Sequence, residues 1–178
     1  MIKTGLTFTA FILFIVSACF AGNKISHRFV DKTIAGVVVG EDHEEDVVRR
    51  FGNGTVTQKG YAWCYFSVYE NQYIIFELGP DRIIEGIIVS KEYNSKCQKI
   101  TTKDKKFLVT GKGIKLGDSF VKVIKIYGEP QRKEIKKGVL IFEYHTDHKK
   151  DSQVSLAYDV YLYFKDDKLV KFAIHDGE

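Results

Sequence analysis

The feature that most restricts this chain is GIKLGDSFVKVIKIYGEP at residues 113–130, because it holds a start, a body and a stop for one short helix. Asp118 or Ser119 can accept from the free N–H groups of a first helical turn. Val121, Ile124 and Tyr127 recur at helical spacing, Val123 and Ile126 widen the apolar side, and Lys122 and Lys125 face water. Gly128 suits the left-handed residue that ends a helix, and Pro130 blocks continuation. A related stretch, GVVVGEDHEEDVVRRFG at residues 36–52, has similar glycines, an acidic start and an aromatic-Gly ending. There Asp42, Glu44, Glu45 and Asp46 place negative charge at the helix start, where the dipole favours it. Val47, Val48 and Phe51 supply the side to be buried.

Each helical stretch is followed by β-prone runs separated by turn residues. The first set is 61–69, 73–78 and 82–90; the second is 139–145, 155–164 and 169–175. This order predicts an α+β fold of two tandem repeats, each a short helical segment packed on a three- to four-stranded antiparallel sheet. The repeats span residues 34–104 and 105–178, after a linker at 22–33.

Residues 1–21 read as a secretory signal peptide. Lys3 gives the positive start, and Phe8 to Val16 is an apolar run too short to span a membrane comfortably. Val16-Ser-Ala-Cys19 resembles a bacterial lipobox, in which the cysteine is lipidated, and by that resemblance Phe20 after Cys19 implies tethering to the outer membrane; the competing reading is ordinary cleavage after Ala21. Either route places the mature chain outside the cytoplasm, in the periplasm. That leaves Cys64 and Cys97, either bridged in a compartment that permits disulfides or present as two buried thiols. The formal charge of +4 conceals an asymmetry: residues 31–90 hold five Lys/Arg against ten Asp/Glu, and residues 91–137 hold fourteen against five. Such a basic segment is either a solvated connector or a means of steering a charged partner. Secretion argues against nucleic acid as that partner.

The sequence offers no catalytic constellation. It has no Gly-x-Ser-x-Gly elbow, no HExxH and no phosphate-cradling glycine loop, so no enzyme activity and no cofactor are expected. His145, Asp147, His148 and Asp151 are dense enough to consider for a metal, but their spacing fits no standard zinc unit, and no metal is expected. The sheet faces say more. Strand alternation puts Ala62, Cys64, Phe66, Ile74, Phe76, Leu78, Ile84 and Ile88 against the helix in the first repeat. Leu140, Phe142, Tyr144, Val160, Leu162, Phe164, Val170 and Ile174 are their counterparts in the second. The opposite face then carries Tyr61, Trp63, Tyr65, Tyr73, Ile75, Ile87 and Val89, with Ile141, Tyr161, Tyr163, Lys171 and His175. A solvent-facing side this aromatic marks an interaction surface, so Tyr61, Trp63, Tyr65, Tyr73, Tyr161 and Tyr163 are the candidate protein-binding residues. The competing expectation is that part of this face packs against the N-terminal segment, the 91–110 connector or the sister repeat.

The order Gly-Ile-x-Leu-Gly-Asp-Ser, apolar helix, Tyr-Gly-Glu-Pro and three strands resembles the SmpA/OmlA (BamE-like) envelope domains, over roughly residues 34–90 and 107–175. Two such units in tandem look like the β-lactamase-inhibitor-protein fold. In the first unit Asn53-Gly54 stands where the pattern has Glu-Pro, and no binding residue is carried over from the family. The resemblance implies a non-catalytic cell-envelope module that binds a partner protein. The alternative is an inhibitor or immunity protein that neutralises an enzyme or toxin.

Overall fold

The computed structural model describes residues 31–57, 60–92, 96–101, 108–150 and 154–177. Cys19 and the lipobox lie outside these residues, as do Asp151 and the turn around it.

Two helices form where the punctuation predicts, α1 at Glu44–Phe51 and α2 at Phe120–Tyr127, each eight residues long. In α1 the Asp46 carboxylate accepts from the His43 backbone N–H at 3.0 Å, which ties the acidic cluster to the first turn. In α2 the Ser119 hydroxyl accepts from the Lys122 N–H at 3.2 Å. Gly52 and Gly128 end the two helices at φ 76° and 87°, a region costly for any side chain. The buried side of α2 is Val123 and Tyr127, with Phe120, Ile124 and Ile126 packed against the core, whereas Val121 faces solvent.

Strands make up most of the rest. A two-residue pairing of β1 (Thr33–Ile34) with β2 (Val37–Val38) precedes α1. Then come β3 (Thr55–Thr57), β4 (Ala62–Ser67), β5 (Gln72–Leu78), β6 (Ile84–Ser90) and β7 (Gln98–Ile100). After α2 follow β8 (Arg132–Lys136), β9 (Val139–Lys150), β10 (Val154–Lys165) and β11 (Lys168–Gly177). Tight turns close the long hairpins: Lys137-Gly138 and Asp166-Asp167 each place two successive residues at positive φ, which matches the twist of the flanking strands.

These strands overturn the expected α+β pair of helix-and-sheet repeats. They form one continuous, mostly antiparallel sheet in the order β3-β4-β5-β6-β11-β10-β9-β8, with β7 added parallel to β4. Pairing of β6 with β11, from Lys171 opposite Ser90 to His175 opposite Gly86, joins the strands that follow α1 to those that follow α2. The molecule is therefore β-rich, with two short helices and the β1–β2 hairpin on one side of a single sheet. The sheet runs continuously across the expected repeat boundary, and pairing β6 to β11 satisfies backbone groups that two separate sheets would leave as exposed edges.

The main core lies between that sheet and the helices. Val47 and Val123 meet Ile74, Phe76, Ile87, Val89, Phe142, Val160, Leu162, Phe164, Phe172 and Ile174, with Ile34, Val37 and Val39 closing one end. Burial of this many aliphatic and aromatic groups is the dominant stabilising contribution.

Candidate interaction face

Which side chains reach the helix-free face is decided by register. In β6 the register shifts after Glu77/Leu78: Gly86 lies opposite Glu77 but Ile84 opposite Leu78, which leaves Glu85 as an inserted residue. Ile84, Ile87 and Val89 consequently all face the helices, and Ile88 faces away. A second shift at Tyr163/Phe164 inserts Val170 in β11, so Leu169, Phe172 and Ile174 are the buried set.

Three registered rows then cross the helix-free face. The first is Glu134, Ile141, Tyr163, Lys171, Ser90, Tyr73 and Phe66, one from each of β8, β9, β10, β11, β6, β5 and β4. The second is Arg132, Glu143, Tyr161, Ala173, Ile88, Ile75 and Cys64. The third begins at β9 and is His145, Asp159, His175, Gly86 and Glu77. The rows run from aromatic and basic, through apolar, to titratable.

The two ends of this face differ. At the β4–β5 end, Ala62, Cys64 and Ile75 are buried around a disulfide between Cys64 and Cys97, whose Cα atoms lie 5.0 Å apart. Tyr73, Ile88 and Cys97 pack on this small cluster, and the Phe66 ring sits 4.8 Å from that of Tyr73. At the β8–β11 end, Tyr161, Tyr163, Lys171 and His175 remain partly accessible. A groove of about 260 Å³ lies between Arg132, Ile141, Glu143, Tyr161 and Tyr163. A second, of about 400 Å³, lies between Lys91, Val139, Tyr163, Lys165, Val170 and Lys171. Tyr163 lines both, and the Lys171 ammonium stands 5.1 Å from its ring centre. Desolvation raises the phenol pKa of Tyr163, and desolvation with the nearby Asp159 and Glu143 carboxylates raises that of Tyr161.

The titratable row is internally paired. His145 Nδ1 lies 2.5 Å from Asp159 Oδ1, and His175 Nδ1 lies 3.0 Å from Glu77 Oε2. Gly86 makes the second pair possible. A Cβ there would stand 2.5 Å from Glu77 Oε2 and 3.0 Å from His175 Nδ1, so the Glu77 carboxylate would have to move and the imidazole to give slightly.

The predicted binding residues are not all brought together. Tyr73, Tyr161 and Tyr163 share the helix-free face, as do Ile75, Ile141, Lys171 and His175. Tyr65 is instead fully buried on the helix side, donating its hydroxyl to the Gly52 carbonyl at 2.8 Å and packing on Phe51 and Phe76. Trp63 packs on the main core too, and Tyr61, 58% exposed, precedes β4. Ala62, Cys64, Phe66 and Ile88 change places with them. The reason lies in β4 itself: bulky residues occupy both of its alternating sets, so hydrophobicity does not choose a face. On the helix side the Tyr65 hydroxyl finds its acceptor, the Gly52 carbonyl at the end of α1. Tyr144 does the same for α2, donating to the Gly128 carbonyl at 2.9 Å.

Sequence reasoning missed the basic groove and the paired histidines. Lys91, Lys165 and Lys171 are dispersed along the chain, and only the β6–β11 pairing and the β10–β11 turn bring them together.

No family model matches the chain, and no curated protein sequence matches it. Among solved structures it is similar to a DUF4309 family protein (YjgB) from Bacillus subtilis, at 13% identity and a TM-score of 0.48, covering 85% of this chain and 88% of that one.

Proposed function

We propose that this chain is a non-catalytic, extracytoplasmic binding module that engages a partner protein through the helix-free face of its sheet. The observation that carries the reading is the accessible β8–β11 end of that face, where Tyr163 lines two grooves and Tyr161, in the adjacent row, lines one of them. Tyrosine supplies large contact area with little rotamer entropy to lose, and such residues dominate protein–protein binding energetics. The leader sequence and the envelope-domain resemblance of residues 113–130 support the same compartment and class of activity, with Cys19 as the proposed outer-membrane tether.

The test is capture of a partner from envelope extract by the mature chain, repeated with Tyr161→Ala and Tyr163→Ala. Loss of a central interface aromatic costs on the order of 2 kcal/mol or more, so capture should fall roughly thirtyfold while the fold is retained. Undiminished capture by both variants would remove the face from the interface.

A further inference from the structure

The groove beside Tyr163 has a charge pattern that specifies part of its occupant. Three lysines line it, Lys91 just past β6, Lys165 at the end of β10 and Lys171 in β11. Among the described residues none of the three has a carboxylate partner. Glu92 is the one carboxylate in the lining, and its backbone N–H is held by the Ser90 hydroxyl at 3.1 Å. The groove thus carries an excess of positive charge beside an aromatic ring and two valines.

The other side of the face has the opposite character. Asp159 and Glu77 lie in the third row, about 13 Å away by strand rise, each paired with a histidine rather than with lysine or arginine. A partner lying across the rows therefore meets lysines without a carboxylate partner at the first row and carboxylate–histidine pairs at the third, and that gradient fixes its orientation.

We propose that the groove lined by Lys91, Lys165 and Lys171 takes an acidic segment of the partner protein, its carboxylates on the lysines and its apolar side chains against Tyr163 and Val170. This rests on the protein-binding reading of the same face. The groove is open rather than enclosed and shares Tyr163 with its neighbour, a shape suited to a length of chain continuing across the sheet. Three lysines share the groove with a single carboxylate, Glu92, and an acidic segment offsets the excess positive charge. The interaction is correspondingly sensitive to salt.

Fluorescence anisotropy of the mature chain with a fluorescein-labelled (Glu-Ser)5 peptide, against its (Gln-Ser)5 counterpart, is the direct test. Tighter binding of the glutamate peptide by about tenfold or more is expected at low ionic strength, where charge attraction is least screened. The Lys91→Gln/Lys165→Gln/Lys171→Gln variant should abolish that preference, and a matched variant, Arg49→Gln/Lys115→Gln/Lys125→Gln, should keep it. Equal loss in the two triple variants, equal binding of the two peptides, or no binding overturns the proposal. So does pelleting with phosphatidylglycerol vesicles that needs the same three lysines while the peptide stays unbound, since the groove would then serve a lipid surface. Failure here, with Tyr161→Ala still abolishing capture from extract, removes the acidic segment and leaves the docking face standing. Peptide preference with undiminished capture by the tyrosine variants does the reverse.

Discussion

Tyr65 offers the sharpest check on how the sheet is oriented, and two substitutions separate what its ring and its hydroxyl contribute. Tyr65→Phe removes one hydrogen bond of 2.8 Å to the Gly52 carbonyl and leaves the ring in place. A net loss of about 1 kcal/mol is expected for one such bond. Tyr65→Ala also removes a fully buried ring, whose centroid lies 5.5 Å from that of Phe51 and 5.9 Å from that of Phe76. Gly54 lies close to the same ring, since a Cβ there would fall 2.7 Å from its Cζ. Buried aromatic-to-alanine changes cost about 3–5 kcal/mol. In a chain of this size each kcal/mol moves the melting temperature by roughly 2–4 °C, giving a drop of roughly 2–4 °C for phenylalanine and 6–20 °C for alanine. Thermal unfolding followed by circular dichroism reads both values. If Tyr65→Ala melts within about 1 °C of the parent while losing partner capture, the ring belongs to the binding face and the orientation of β4 argued above is wrong.

Three further outcomes are expected, two from the structure and one from the leader sequence. The mature protein, denatured without reductant, should titrate no free thiol, because Cys64 and Cys97 are bridged across 33 residues; reduction should lower stability by about 2–4 kcal/mol. Stability should hold up to about pH 10 and then fall, since burial raises the phenol pKa values of Tyr65, Tyr127 and Tyr144 above the ordinary one. The folded chain holds those protons more tightly than the unfolded chain, so the loss begins at the unfolded pKa and grows through the folded one; urea midpoints at pH 8, 10 and 11 measure it. Cys19→Ser should release the native protein from the membrane fraction, and a mature N-terminus at Gly22 would instead establish ordinary cleavage.

Local punctuation was legible in the sequence because it depends on near neighbours. Both helices stop at their glycines, Ser119 caps α2, and the strand expected at 73–78 forms within one residue of that range. In β10 the alternation of Val160, Leu162 and Phe164 against Tyr161 and Tyr163 is unambiguous, so their faces followed directly. What remained hidden depends on residues far apart in the chain. The β6–β11 pairing makes one sheet of nine strands rather than two repeats, and no local signal announces it. Single insertions at Glu85 and Val170 reverse the faces beyond them, which moved Ile87 and Val89 into the core and Ile88 out of it. Strand β8, Arg132–Lys136, is entirely exposed and lies at the sheet edge, where charged residues discourage pairing with other chains. Its composition resembles a loop for that reason.

The helix-free face at Tyr161 and Tyr163 is the proposed docking site for a partner protein. Photo-crosslinking in intact cells tests it most directly, with p-benzoylphenylalanine placed at Tyr161 on that face and, separately, at Val121 on α2, which is 62% exposed on the helix side. A discrete protein adduct from position 161 and none from position 121 is the predicted result. An adduct from position 121 alone, or equal adducts from both, would contradict it.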